Sequence, residues 1–125
     1  MTAGVDTGFF FALEEQHPLA LKVWEEREIV TSVIVLYEIE KKLLGGRLSR
    51  WPTIMADLRL AVSAIPLGED SARLAARLSH KFGLPGLDSL ILATLLDAGV
   101  RRVYTTDAHF ELYKAKGVEI INLAK

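Results

Sequence analysis

The chain has 125 residues, 50% of them apolar and 25% charged, with a net charge of −1 and no cysteine. That size and composition fit one globular domain and exclude disulfides, thiolate metal sites and cysteine nucleophiles. A charge so near zero also excludes a chain that is basic overall, so any nucleic-acid contact must come from a local patch. Cysteine-free composition agrees with a reducing compartment. The opening stretch lacks a basic leader, and Glu14 and Glu15 interrupt its apolar run. Neither a signal peptide nor a membrane span is expected, and a cytoplasmic protein is.

Residues 1–5 read as a short strand that Asp6 ends, and residues 8 to about 17 as a helix with an aromatic face that Pro18 stops. Residues 19–27 continue as a second helix, and residues 28–31 form a β-branched strand. Ser32 can cap a helix over residues 33 to about 44, closed by Gly45-Gly46. Trp51-Pro52 opens a helix to about residue 63, and residues 64–67 are a brief strand. Asp70 or Ser71 caps a helix through Phe82, with Leu74, Leu78 and Phe82 on one stripe and Gly83 past its end. Residues 84–87 read as loop, and Asp88 starts an almost wholly apolar helix to Ala98. Strands over 100–106 and 118–123, with a short helix over 109–116 between them, complete the chain.

Alternating β and α segments with short apolar strands predict a parallel sheet with helices on both faces. Ligands of such sheets sit at the carboxyl ends of the strands, where strand order reverses. Asp6 and Asp107 fall at such ends, and Glu38 and Asp88 lie near the starts of helices that point there. Each acid also has an ordinary reading. Asp6 and Asp88 can be N-caps, Glu38 can pair with Lys42 at i, i+4, and Asp107 can be a turn residue. Together they acquire a shared purpose, because the fold would gather all of them at one edge.

Converging carboxylates repel by about 4 kcal/mol per pair at about 4 Å and an effective dielectric of about 20. They must therefore hold protons or cations. Hard oxygen donors suit Mg²⁺ or Mn²⁺, which can activate water and stabilise a phosphodiester under attack. The reaction class that follows is metal-dependent phosphodiester hydrolysis.

The segments "VDTGFFFAL", "TSVIVLYEIEKKL", "GLDSLILATLLDAGVRRVYTTDAHF" and "GVEIINL" resemble a PIN domain, more narrowly a VapC-type toxin or one of its stand-alone relatives. The resemblance spans essentially residues 1–125 as a single nuclease domain. It implies a three-layer α/β/α sandwich around a mostly parallel sheet and a Mg²⁺- or Mn²⁺-dependent endoribonuclease. The family's four acids fall on Asp6, Glu38, Asp88 and Asp107, as catalytic and metal-binding residues. Its hydroxyl residue before the last acid falls on Thr105. Gly8 stands where the family commonly has a polar residue, so an incomplete hydrogen-bond shell around Asp6 is expected, with the four carboxylates in place.

In that scheme Asp6, Asp88 and Asp107 hold metal, and Glu38 binds it through water or orients the attacking water. Thr7 and Thr105 hold carboxylates by hydrogen bonds, or are plain turn and strand threonines. Cleavage would leave a 5′-phosphate and a 3′-hydroxyl. Lys41, Lys42, Arg47 and Arg50 are candidates for the RNA backbone, with Trp51 able to stack a base or to pack internally. Arg101 and Arg102 belong to the opposite edge. His17, His80 and His109 match no ligand spacing and read as surface residues. Phe9, Phe10, Phe11, Leu13 and Trp24 exceed what two short helices need, so part of this surface could serve a homodimer or an antitoxin peptide, both of which the resemblance implies.

Other readings of "VDTG" fit less well. An aspartic protease half is nearly all β, a sugar-kinase phosphate loop belongs to a far longer chain, and a receiver domain needs an acid pair after its first strand. The alternative that stays open is a PIN-like scaffold that binds RNA or protein without catalysis.

Overall fold

The computed structural model describes residues 2–125. Met1, read as part of the first strand, lies outside the described residues. The elements run β1 Thr2–Val5, α1 Thr7–Glu14, α2 Pro18–Glu26, β2 Glu28–Ser32, α3 Val33–Leu44, α4 Ile54–Ala61 and β3 Val62–Ile65. Then follow α5 Glu69–Phe82, α6 Gly86–Asp97, β4 Arg102–Thr105, a 3₁₀ turn Ala108–Leu112 and β5 Glu119–Asn122.

The five strands form one sheet in the order β3-β2-β1-β4-β5, and every pairing is parallel. The chain moves outward from β1 through β2 to β3, then returns to the other side of β1 for β4 and β5. The reversal lies between β1 and β4. Side chains alternate between the two faces of a strand, yet Ala3, Gly4 and Val5 of β1 are all buried. So are Ile29 to Ser32 of β2 and Val103 to Thr105 of β4. Both faces are therefore covered, and the architecture is the expected α/β/α sandwich.

The core explains the composition of the helices. In α1, Phe9 and Phe10 are fully buried and meet edge to face at 5.5 Å. Helix α6 packs on β2, α3 and, most extensively, α5. That enclosure is why it is apolar nearly all round. Helix α5 covers one side only and is amphipathic, with Ser71, Ala75 and Leu78 turned inward. Gly83 closes it at φ +76°, a conformation that glycine adopts without strain.

Several boundaries differ from the sequence reading. Helix α4 starts at Ile54 because Trp51 turns inward and its indole N–H donates to Asp57 Oδ2 at 2.6 Å. Strand β3 starts at Val62, where it pairs with Ile29, and stops before Pro66, which has no N–H for the ladder. Strand β4 starts at Arg102, since the Val100 N–H bonds back to Leu95 O at 3.0 Å and closes α6. Most relevant to the site, α6 begins at Gly86, with the Ser89 N–H on Pro85 O at 2.9 Å. Asp88 is thus a first-turn residue and not the start of the helix. Ser32 caps α3 as expected, accepting the Ile34 N–H at 3.1 Å.

Candidate active site

Four local settings deliver acids to the carboxyl edge at the strand reversal. Asp6 follows β1 and caps α1, with its Oδ1 accepting the Phe9 N–H at 3.1 Å. Asp107 follows β4 and caps the 3₁₀ turn, with its Oδ1 accepting the His109 N–H at 2.9 Å. Asp88 enters from the first turn of α6, and Glu38 lies on α3. Capping and clustering are therefore compatible uses of the same carboxylates, because each oxygen has two lone pairs.

Hydroxyl groups tie the acids together. The Thr105 hydroxyl donates to Asp6 Oδ2 at 2.5 Å and accepts the Asp107 N–H at 2.9 Å, linking the first and last acids through one oxygen. The Thr7 hydroxyl donates to Glu38 Oε1 at 2.5 Å, linking α1 to α3. Behind them Thr31 donates to Val5 O at 2.7 Å, and Ser32 to the Thr94 hydroxyl of α6 at 3.2 Å.

Burial and neighbouring like charge act together on two of the acids. Asp6 is only 4% exposed. Burial pushes its pKa up to about 7, Asp107 and Asp88 add to the rise, and the bonds from Thr105 and Phe9 oppose it. Asp88 also rises to about 7, through burial first, then Asp107 and Glu38, with His109 working the other way. Two carboxyls that hold protons near neutrality mark a site short of positive charge.

A PIN domain model matches residues 4–116 of the sequence. The chain belongs to the PIN domain family. No curated protein matches the sequence. Among solved structures, a toxin–antitoxin complex from Klebsiella pneumoniae aligns with a TM-score of 0.75 at 18% identity, over 97% of both chains. VapBC-5 from Mycobacterium tuberculosis aligns at 0.72 and 26% identity, over 97% of this chain and 98% of that one. VapC20 from Mycobacterium tuberculosis, described as a sarcin–ricin loop cleaving toxin, aligns at 0.68 and 23% identity, over 87% and 92%.

The PIN domain departs from or refines the sequence reading at His109, His17, Arg50, Trp51 and Gly8. His109 is not a bystander. Its Nδ1 lies 2.9 Å from Asp107 Oδ1 and 3.8 Å from Asp88 Oδ2. One donor atom from each of Asp88, Asp107 and His109 falls within 4.8 Å of the others, close enough to share an ion. The signal in the sequence was a histidine two residues past an acid, in a turn that the acid itself caps. His17 is not merely a surface residue either. Its Nδ1 accepts the N–H groups of Leu19 and Ala20, and its Nε2 bonds Leu123 O at 2.9 Å.

The basic residues divide. Lys41, Lys42 and Arg47 line the same groove as Glu38. Arg50 turns away: its N–H and guanidinium both meet Glu14, at 3.0 and 3.8 Å. Trp51 is packed against Phe10 and Trp24, with ring centroids 6.4 and 5.9 Å away, so it has no free face over the acids. The aromatic excess of α1 and α2 is thus largely spent inside the domain.

Gly8 also acquires a reason. A Cβ there would stand 1.9 Å from the Thr106 hydroxyl oxygen. The space that a side chain at position 8 would need is already taken by the Thr106 hydroxyl, one residue past the end of β4. Among the described residues no helix is long and apolar enough to cross a membrane.

Proposed function

We propose that this PIN domain is a metal-dependent endoribonuclease that hydrolyses RNA phosphodiester bonds in the cytoplasm, as the toxin of a VapBC-type pair. The observation that carries the reading is the meeting of Asp6, Glu38, Asp88 and Asp107 at the strand reversal, with two carboxyls held up to about 7. Support for the toxin role comes from three of the solved relatives, two of them described as toxin–antitoxin systems and one as a sarcin–ricin loop cleaving toxin. By the same likeness one partner is an antitoxin, and a second copy of the chain is what the family resemblance implies.

The donor set fits Mg²⁺ or Mn²⁺: hard carboxylate oxygens, short of positive charge, with the His109 nitrogen as a donor that Mn²⁺ accepts readily. Asp6, Asp88 and Asp107 would hold the ion, and Glu38 would reach it through water. A divalent ion there supplies charge stabilisation to the phosphodiester and lowers the pKa of water. Glu38, with Oε1 fixed by Thr7, keeps its other oxygen to orient the attacking water and take its proton. Thr105 holds Asp6 and Asp107 in a fixed relation. Lys41, Lys42 and Arg47 meet the flanking backbone phosphates. The products are a 5′-phosphate and a 3′-hydroxyl.

The test is cleavage of a mixed-sequence fluorescent RNA in Mn²⁺ or Mg²⁺, beside EDTA and Asp88→Asn. Cutting that disappears in both controls is the expected result. Mn²⁺ binding with no cutting of any RNA, including total cellular RNA, would favour the scaffold reading.

A further inference from the structure

Beside the acids a groove of about 400 Å³ is lined by Tyr37, Glu38, Lys41, Lys42, Arg47 and Leu87. Its two apolar members are conspicuous by position. Tyr37 immediately precedes Glu38, and Leu87 immediately precedes Asp88. Tyr37 is 54% exposed and Leu87 41% exposed. The helical spacing of Tyr37 and Lys41, and of Glu38 and Lys42, lays ring, acid and cations along one side of α3. Arg47 sits across the Phe11 ring at 5.2 Å, and the next residue, Leu48, is buried at φ +59°, which pins the loop that carries the arginine.

An aromatic ring in water beside cations matches one ligand chemistry well: a nucleobase whose face is free to stack, on a chain of phosphates. Paired A-form RNA keeps its base faces inside the helix and cannot offer one. We propose that Tyr37 and Leu87 seat one unpaired nucleobase next to the bond that is cut, so that the groove selects an unpaired nucleotide. The proposal rests on the nuclease reading for the identity of the polymer. The cations of the groove, which fit a polyanion, favour RNA over a protein segment as its occupant.

The test is binding, with catalysis silenced. Fluorescence anisotropy in EDTA would compare a fluorescein-labelled single-stranded RNA of mixed sequence with the same strand annealed to its complement, at one salt concentration. Charge alone favours the duplex, which is the denser polyanion. Wild type should nevertheless prefer the single strand. Tyr37→Ala should weaken single-strand binding by about 5- to 100-fold while leaving duplex binding within about twofold. Tyr37→Phe should restore it, and Lys42→Gln should weaken both RNAs alike. Equal losses on both RNAs, or none, for Tyr37→Ala would overturn the slot. So would a loss of self-association by Tyr37→Ala with RNA binding unchanged, since the face would then be a protein interface. Wild-type cutting of RNA in Mn²⁺ is read separately. Cutting without strand preference sinks the slot alone, and strand preference without cutting sinks the nuclease alone.

Discussion

Strands β4 and β5 run side by side, and their two ends treat charge in opposite ways. At the amino end Arg102 and Glu119 are partners in register, and their side chains meet at 3.0 Å in open water. Opposite signs cancel there, and neither group is buried. At the carboxyl end Asp107 joins Asp6, Glu38 and Asp88, all of one sign, and burial makes the crowding worse. An exposed pair of opposite charges is a small stabilising detail. A buried cluster of like charges costs stability, and a fold that keeps one is positioned to bind something positive.

The sharpest way to break this comparison is to remove one charge from each end. Asp107→Asn should cut RNA cleavage in Mn²⁺ by on the order of 10²–10³-fold, as loss of a charge-stabilising group does. Glu119→Gln should leave cleavage within about twofold and the melting temperature nearly unchanged. Comparable losses from both would mean that the carboxyl edge has no special role.

Next in size is the hydroxyl support. Thr105→Val keeps the shape of the residue but removes the bond to Asp6 and the acceptor for the Asp107 N–H. Mn²⁺ affinity by calorimetry should fall by about 10- to 100-fold. Thr7→Val should have a smaller effect, because it releases one oxygen of a single, half-buried carboxylate.

What the sequence made legible was what local chemistry decides. Strand and helix alternation, the Ser32 cap and the four acids in chain order all follow from patterns within a few residues. The missed features depend on contacts between distant segments. Nothing near Trp51 decides between the two roles open to it, and it is Phe10 and Trp24, distant in the chain, that settle it as a packed ring. Nothing near Arg50 announces Glu14. Gly8 looks like a defect in its motif until Thr106 is seen to fill the space. Pro85-Gly86 reads as loop because both residues break helices in general, yet proline is well suited to the start of one. That shift is what moves Asp88 from the cap into the first turn, facing Asp107.

The protons on the cluster give a pH test of intermediate size. Asp6 and Asp88 rise from 3.8 to about 7 in the folded protein. A carboxyl with a raised folded pKa binds its proton more tightly when folded, so it contributes stability that is present below about 4 and lost as pH rises through 7. Metal-free protein should therefore lose on the order of 1–2 kcal/mol between about pH 5 and 8 in urea titrations, beyond what other groups contribute. Asp6→Asn should flatten that slope. Mn²⁺ should restore stability at pH 8 and do little at pH 5, where protons occupy its ligands. A metal-free protein equally stable across this range would mean that the acids are less crowded than their geometry implies.

The smallest expected effect tests the quiet end. A double-mutant cycle of Arg102→Gln and Glu119→Gln isolates the energy of their pair from the other losses each change brings. An exposed pair of this kind should couple by about 0.2–1 kcal/mol, and about 0.5 M salt should erase most of it. Its weakness matters to the comparison because these strands hold both ends of the same ladder. If the coupling were large, or insensitive to salt, the pair would be pinning β5 against β4. Thr105, at the far end of that ladder opposite Asn122, would then owe its position partly to the amino edge. A small, screened coupling leaves the placement of Thr105, and through it of Asp6 and Asp107, to the hydroxyl bonds at the carboxyl edge.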